Sequence, residues 1–158
     1  MSGYRVERLG KHHDRKAFRC GSESLDRYFR ERATQDEQRR LALCFVAVAE
    51  QDDAVAGFYT LAATSIALDG LPADRAKRLP RYPSVPGVLL GRLAVATHHQ
   101  GKGLGGAFVV DALMRAAHSE IVGHLMVVDA KDEAAIRFYA HLGFEALPDD
   151  KRRLVRRI

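Results

Sequence analysis

The stretch at residues 87–118, GVLLGRLAVATHHQGKGLGGAFVVDALMRAAH, constrains the fold of this chain more than any other. Its apolar run at 88–96 has the length and composition of a buried strand. A short polar link then leads into a glycine-rich turn at 100–106. Behind the turn, Leu104, Phe108 and Ala112 repeat at i, i+4 and i+8, the spacing of one helix face. The pattern predicts a strand, a glycine turn and a helix in succession.

The glycine turn predicts a binding site for an anion. Glycines let backbone N–H groups approach a ligand closely, and the helix behind them adds unpaired amides and the positive end of its dipole. Phosphate is the usual ligand of such a turn. A plain tight turn built from small residues is the alternative, but Lys102 among the glycines favours phosphate.

Two common nucleotide-binding patterns fit the turn less well. A P-loop needs Gly-Lys-Ser/Thr after a spacer of four residues, and the turn has no such sequence. The dinucleotide pattern G-x-G-x-x-G matches at Gly101, Gly103 and Gly106, with Asp129 near the place of a ribose-binding acid. The link at 97–100 is long for that turn, however, and too little chain follows Asp129 to complete a dinucleotide-binding domain.

Two blocks resemble the GNAT superfamily of N-acetyltransferases. QGKGLG at 100–105 resembles the acetyl-CoA signature Q/R-x-x-G-x-G/A, and AIRFYAHLGF at 135–144 resembles the A-x-x-F-Y-x-x-x-G-F block that closes the fold. The blocks occur in the order of the family. The resemblance implies one α/β domain over residues 1–158 with the GNAT fold, a mixed central β-sheet with splayed central strands flanked by helices.

The resemblance also implies where acetyl-CoA, the acetyl donor, binds. In the family its pantetheine arm lies between the two splayed strands and its pyrophosphate lies on the glycine turn, mostly through main-chain contacts. The residues that match are Leu93, Ala94, Val95, Gln100, Gly101, Lys102, Gly103, Leu104, Gly105 and Gly106. No metal site is expected, and Cys20 and Cys44 form no metal or redox motif.

Tyr139 of the F-Y block is the catalytic residue that the resemblance implies. A phenol beside the sulfur of CoA donates a proton to the departing thiolate as a general acid. The alternative is that Tyr139 only packs its ring beside Ala135, one helical turn earlier.

No general base is evident in the sequence. No carboxylate occurs at 87–95, where family members that need a base often carry glutamate, and we read His98 and His99 as exposed loop residues. An α-amino group titrates near pH ~8 and a lysine amine near ~10.4, so only the former is substantially neutral at physiological pH. The pattern therefore suits an α-amine acceptor.

Four further blocks are similar to the GNAT toxins of bacterial type II toxin–antitoxin pairs. They are FRCGSESLDRY at 18–28, GFYTLA at 57–62, LPRYP at 79–83 and RLAV at 92–95; Ala96 departs from the aspartate that commonly follows R-L-A-V. Those toxins acetylate the α-amine of aminoacyl-tRNA and so block translation until an antitoxin, usually a ribbon–helix–helix protein, masks them. The resemblance implies aminoacyl-tRNA and such an antitoxin as partners, with a homodimer as a further option.

The net charge of +5 is concentrated in clusters, which suits a polyanionic partner. We assign one cluster to tRNA: Arg75, Lys77, Arg78 and Arg81. Solvated surface charge is the alternative for this cluster and for those at 5–19 and 151–157. The apolar runs are too short to cross a bilayer, and the N-terminal residues show no signal-peptide pattern. We expect a cytoplasmic protein with free thiols and no membrane contact.

Two other functions stay open at this point. One is an ordinary GNAT enzyme that acetylates a small-molecule amine or a protein N-terminus; the basic charge argues against polyamines and aminoglycosides. The other is a non-catalytic GNAT module that binds RNA or a partner; the intact glycine turn and Tyr139 argue against it. Arg92 interrupts an apolar strand, and Asp129 on the adjacent strand is its candidate partner.

The remaining patterns predict the other elements of the chain. Strands are expected at 4–9, 41–50, 54–68, 124–130, 144–147 and 153–158. Helices are expected over 23–40, after a Ser22 or Ser24 cap, and over 72–77. A last helix should begin after Asp132 and end before Gly143.

Overall fold

A computed structural model describes residues 3–158. The strands are β1 (Tyr4–Arg8), β2 (Leu43–Ala49), β3 (Val55–Ala67), β4 (Ser84–Val95), β5 (Leu125–Asp129), β6 (Glu145–Leu147) and β7 (Asp150–Arg157). The α-helices are α1 (Glu23–Glu31), α2 (Ala33–Gln38), α3 (Ala73–Lys77), α4 (Leu104–Ala117) and α5 (Glu133–His141). Short 3₁₀ turns lie at Leu68–Gly70 and Thr97–His99.

The strands form one mixed sheet in the order β1-β2-β3-β4-β5-β7-β6. β4 and β5 pair in parallel, whereas the β1–β2, β2–β3, β5–β7 and β6–β7 pairs are antiparallel. The β4–β5 register runs from Gly87↔Leu125 to Leu90↔Val128, and β4 then continues to Val95. The predicted mixed sheet is confirmed, and the short register agrees with the splay expected of these two strands.

Two units, each made of two separate chain segments, carry the hydrophobic packing. The first comprises the described residues up to Ala62 together with Gly91–Ala112. Its core is aromatic: the Phe29 and Phe58 rings stack with centroids 4.4 Å apart. The second comprises Ala63–Leu90 and Leu113–Ile158, and its core is aliphatic, with Val127 and Val155 at its centre. Whether the whole chain behaves as one domain stays a prediction.

The predicted helix over 23–40 is wrong, because two helices occupy this stretch. Ser22 caps α1 by accepting the Leu25 amide, as predicted. The helix is interrupted at Arg32, whose φ of −118° is distorted from that of a regular helix, and α2 begins at Ala33, which is 1% exposed in the core of the first unit. Arg40 ends the pair in the left-handed region, at φ +60°. No proline or glycine marks the break, so the residue pattern could not show it.

The two helices that carry the family blocks agree better with their patterns. Leu104, Phe108 and Ala112 of α4 are each buried, as their spacing predicts. In α5, Tyr139 is the buried side chain, and Phe138 beside it is half-buried. Within residues 3–158, no helix combines the length and apolar character that crossing a bilayer requires.

Candidate active site

The glycine turn joins β4 to α4 with the backbone geometry that its glycines allow. Gly101 and Gly103 have φ values of +78° and +83°, in the left-handed region that side chains disfavour. The Gly103 carbonyl accepts the Ala107 amide at 3.1 Å, so Gly103 directly precedes the first turn of α4. The first amides of that turn have no acceptor within the helix. They and the dipole of a 14-residue helix favour an anion at this end.

Gln100 holds the turn in place. Its side-chain amide donates to the Val95 carbonyl and to the Cys20 carbonyl, both at 2.9 Å, and its backbone amide donates to Thr97 at 3.4 Å. These bonds brace the turn, and the assignment of Gln100 to the cofactor stays a prediction. The amides that follow it, from Gly101 to Gly106, remain the candidates for phosphate contact. Lys102 is exposed within this run.

The end of β4 is predicted to contact a ligand through main-chain groups rather than through side chains. Ala94 is 4% exposed, and its side chain lies in the core of the first unit. Leu93 and Val95 are half-buried. All three lie beyond Leu90, the last β4 residue in register with β5. Their predicted role in binding the pantetheine arm through main-chain groups stays a prediction.

Tyr139 lies in α5, whose two ends are fixed by local chemistry. The Asp132 carboxylate accepts the Ala135 amide at 2.8 Å, and Gly143 takes φ +89° just after the helix, both as predicted. The Tyr139 ring packs edge-to-face on Phe138 and Phe144, with centroids 5.0 and 5.5 Å away. These fixed helix ends and ring contacts hold the phenol in one orientation.

The environment of Tyr139 keeps its phenol protonated. The residue is 8% exposed, and burial raises its pKa to about 12. Within residues 3–158 its hydroxyl has no hydrogen-bond partner, and its oxygen is not enclosed by protein atoms. A buried ring with an unengaged, accessible O–H is compatible with proton donation, and the catalytic role of Tyr139 stays a prediction.

Arg92 does not pair with Asp129, so that prediction is wrong. The Arg92 guanidinium instead lies 3.6 Å from the centroid of the Tyr28 ring, a cation–π contact. Tyr28 in turn donates its hydroxyl to Asp36 at 2.8 Å. Asp129 makes two hydrogen bonds, of 2.8 and 3.0 Å, with Arg153. Sequence reasoning missed the Arg92–Tyr28 contact because it joins residues far apart in the chain.

The two histidines of the link differ from each other. His98 is exposed, as predicted. His99 is half-buried, and its Nδ1 lies 2.6 Å from the Tyr4 hydroxyl, so reading it as a plain exposed loop residue is wrong. This contact fixes the His99 ring against β1 rather than leaving it for catalysis.

Of the four cations in the predicted tRNA cluster, one forms an ion pair and three do not. Arg75 forms an ion pair with Glu145 at 2.8 Å. The side chains of Lys77, Arg78 and Arg81 are exposed and have no ion-pair or hydrogen-bond partner within the described part of the chain. The neighbouring Tyr82 is 68% exposed, which places an aromatic ring beside these cations.

One group has the composition of a metal site. Carboxylate and imidazole atoms of Glu7, His12 and His13 lie within 4.8 Å of one another. The Gly10 amide donates to Nδ1 of His13 at 2.9 Å, so the ring proton lies on Nε2 and is donated to Glu7 at 2.8 Å. A metal would need the lone pair of that same Nε2. The donor set therefore fits a hydrogen-bonded pair better than a metal.

Comparison with known proteins identifies the family. The profile described as "Acetyltransferase (GNAT) domain" matches residues 42–146, which include β4, the glycine turn and α5. The chain belongs to the GNAT family. It is therefore an N-acetyltransferase by family, its donor is acetyl-CoA, and the GNAT fold implied by the two sequence blocks is confirmed.

Within the GNAT family, the chain is similar to toxins. A "tRNA-acetylating toxin" of Mycobacterium tuberculosis is 36% identical over 98% of this chain and 93% of its own length. The structure of "AtaT complexed with acetyl-methionyl-tRNAfMet" matches with a TM-score of 0.88 and 27% identity, over 98% of this chain and 94% of AtaT. "AtaTR bound with AcCoA" matches with a TM-score of 0.82 and 26% identity, over 99% and 95%.

Proposed function

We propose that this GNAT enzyme transfers the acetyl group of acetyl-CoA to the α-amine of an aminoacyl-tRNA and thereby blocks translation. The observation that carries the proposal is the 36% identity, over nearly the full length of both chains, to a tRNA-acetylating toxin. The likeness to AtaT, whose structure contains acetyl-methionyl-tRNAfMet, supports the same acceptor.

In this reaction the amine nitrogen bonds to the acetyl carbon, the carbon–sulfur bond breaks, and the thiolate of CoA takes up a proton. Tyr139 supplies that proton from its hydroxyl, which is protonated at neutral pH. The amine loses one proton as the amide forms, and a proton from solvent restores the Tyr139 phenol. The amides at 101–106 hold the pyrophosphate, and the main chain at 93–95 holds the pantetheine arm. A neutral α-amine attacks without a protein base, since its pKa lies near ~8.

The exposed cations Lys77, Arg78 and Arg81 bind tRNA phosphates in this proposal, with Tyr82 available for stacking on an unpaired base. Arg75 supports them indirectly, because its ion pair with Glu145 fastens α3 to β6. The proposal extends to a ribbon–helix–helix antitoxin that masks the enzyme, to a homodimer and to a cytoplasmic location, as the toxin family implies.

The decisive experiment offers the purified enzyme acetyl-CoA and a pool of charged tRNAs, and detects N-acetylated aminoacyl ends by mass spectrometry. Acetylation of one or more charged tRNAs is the expected result. A matched Tyr139→Phe enzyme serves as the control for contaminating activity. If no charged tRNA is modified while a free amine or a peptide is, the enzyme is an ordinary GNAT and the toxin proposal is wrong.

A further inference from the structure

A cavity outside the proposed active site is lined by positive charge. It has a volume of about 450 Å³ and lies between the loop before α1 and α1 itself. Three cations line it: Arg15 and Lys16 from the loop, and Arg30 from the helix. The other lining residues are Asp14, whose carboxylate accepts the Lys16 amide, and His13, whose ring is bonded to Glu7.

Arg30 is the most informative of these residues. Its Nη1 is enclosed by protein atoms and has no hydrogen-bond acceptor within residues 3–158. Over the same residues, its only ion pair is a 3.4 Å contact from Nη2 to the exposed Glu23. The enclosed Nη1 cannot itself reach a ligand, but the guanidinium charge is shared among its nitrogens and the Arg30 side chain is 25% exposed. An anion that contacts the accessible part of the group would therefore offset the cost of this incompletely paired charge.

Arg15 is held in place at the cavity wall. Its guanidinium donates to the Phe29 carbonyl at 3.0 Å, which positions the charge beside α1 and leaves its other donors available. Lys16 is exposed, and its side chain has no partner within the described residues. A phosphate group accepts several charge-assisted hydrogen bonds. It therefore suits a site with one fixed arginine (Arg15), one incompletely paired arginine (Arg30) and one exposed lysine (Lys16).

We infer that Arg15, Lys16 and Arg30 form a phosphate-binding site, separate from the glycine turn. The phosphate comes from one of two sources, the RNA backbone or the nucleotide half of the coenzyme. The RNA source rests on the proposed function. The position of the loop supports the coenzyme as a source. The loop continues to Arg19 and Cys20, and their carbonyls accept hydrogen bonds from Thr97 and Gln100 beside the glycine turn.

The test uses Arg30→Met and Lys16→Ala, with Arg27→Met as the matched control. Arg27 lies on the same helix and contacts the same Glu23, at 3.8 Å, but does not line the cavity. Arg30→Met should leave the denaturation midpoint unchanged or raise it, because it removes an incompletely paired charge. Lys16→Ala removes an exposed side chain and keeps the test valid even if Arg30→Met fails to fold.

Four ligands distinguish the sources: uncharged tRNA at several KCl concentrations, CoA, dephospho-CoA and inorganic phosphate. If the phosphate belongs to RNA, both variants weaken tRNA binding several-fold and reduce its salt slope by about one, while Arg27→Met does not. If it belongs to the coenzyme, they weaken CoA binding and leave dephospho-CoA binding unchanged. Wild-type affinity for all four ligands in both variants, or an equal loss in Arg27→Met, overturns the site.

These measurements do not depend on acetyl transfer. If no charged tRNA is acetylated, the proposed function fails, but loss of phosphate binding in Arg30→Met still supports the cavity site. If charged tRNA is acetylated and the variants bind every ligand normally, the cavity inference fails and the proposed function stands.

Discussion

Tyr139 is the residue proposed as the proton donor, and its surroundings determine the state of its phenol. Its ring is buried against Phe138 and Phe144, while its hydroxyl stays accessible and without a partner in the described chain. Burial disfavours the charged phenolate, so the pKa rises and the proton is retained. A proton donor is therefore present at neutral pH wherever the phenol meets a departing thiolate.

Replacing Tyr139 by phenylalanine tests the proton donation alone. The ring contacts persist in Tyr139→Phe, so the fold should be retained, as measured by circular dichroism and thermal unfolding. Single-turnover acetyl transfer should fall by roughly 10²–10⁴-fold, the usual contribution of a general acid. Full activity in the variant would leave Tyr139 with a packing role only.

The raised pKa of Tyr139 also predicts how stability depends on pH. The unfolded phenol titrates near ~10 and the folded one at about 12, so the stabilising contribution is complete below pH ~10 and is lost as the pH rises towards 12. The contribution of Cys44 to stability is also lost as the pH rises, since burial raises the pKa of its thiol to about 12. Urea midpoints should therefore fall between pH ~10 and ~12, and fall less steeply in Tyr139→Phe. Parallel curves for the two proteins would contradict this.

At the scale of elements, predictions from the sequence succeeded where the chemistry is local. Ser22, Asp132 and Gly143 were placed correctly at helix ends because a cap depends on the residues next to it. The break at Arg32 was missed because it depends on how Ala33 reaches the core, which no neighbouring residue encodes.

Contacts between distant elements were predictable only in part. The glycine turn and its place between β4 and α4 followed from the pattern of 87–118, yet the bracing of that turn by Gln100 did not. A glutamine in a turn has many acceptors within reach, and the Cys20 carbonyl becomes one of them only when the loop before α1 folds against it. For the same reason the Arg92–Tyr28 contact could not be predicted.

The glycine turn predicts a loss of acetyl-CoA binding in Gly103→Val. A β-branched residue at φ +83° is strained by about 1–3 kcal/mol, which rotates the amides that face the phosphates. In the wild type, acetyl-CoA at about 100 times its Kd should add about 2.7 kcal/mol of stability and raise the melting temperature. The variant should fold and show no such rise.

Gly70→Val is the control for that experiment. Gly70 lies in a short 3₁₀ turn, its φ is outside the positive range, and no atom lies within 4 Å of an added Cβ. This variant should keep the acetyl-CoA-dependent rise in melting temperature. A rise of normal size in Gly103→Val would remove the glycine turn from the proposed donor site.

At the scale of the whole molecule, the net charge of +5 is less informative than its distribution. Many basic side chains are occupied: Arg8 pairs with Glu37, Arg153 pairs with Asp129, and Arg156 donates to the Leu142 carbonyl. Lys77, Arg78 and Arg81 are exposed and unengaged within residues 3–158. Composition alone could not separate these two groups, since pairing depends on the fold.

Alanine at Lys77, Arg78 and Arg81 together should weaken tRNA binding and flatten its salt dependence. Removing one cation that neutralises a phosphate reduces the slope of log K against log salt by about 0.7–0.9, as measured by anisotropy over a KCl series. Acetyl-CoA affinity should be unchanged. A control that removes the same charge from α1 and from the two residues that flank α2, at Arg27, Arg32 and Arg39, should have the smaller effect. If the two triple variants weaken tRNA binding equally, the cluster contributes only through net charge.

The position of β7 in the sheet has a consequence for biosynthesis. β7 is the last of the described strands along the chain, yet it lies between β5 and β6, and β6 has no other neighbour in that strand order. A nascent chain therefore cannot complete the sheet around α5 until residues 150–157 have emerged from the ribosome. For an enzyme proposed to stop translation, this strand order means that the sheet beside α5, the helix that carries Tyr139, forms completely only after those residues have been synthesised.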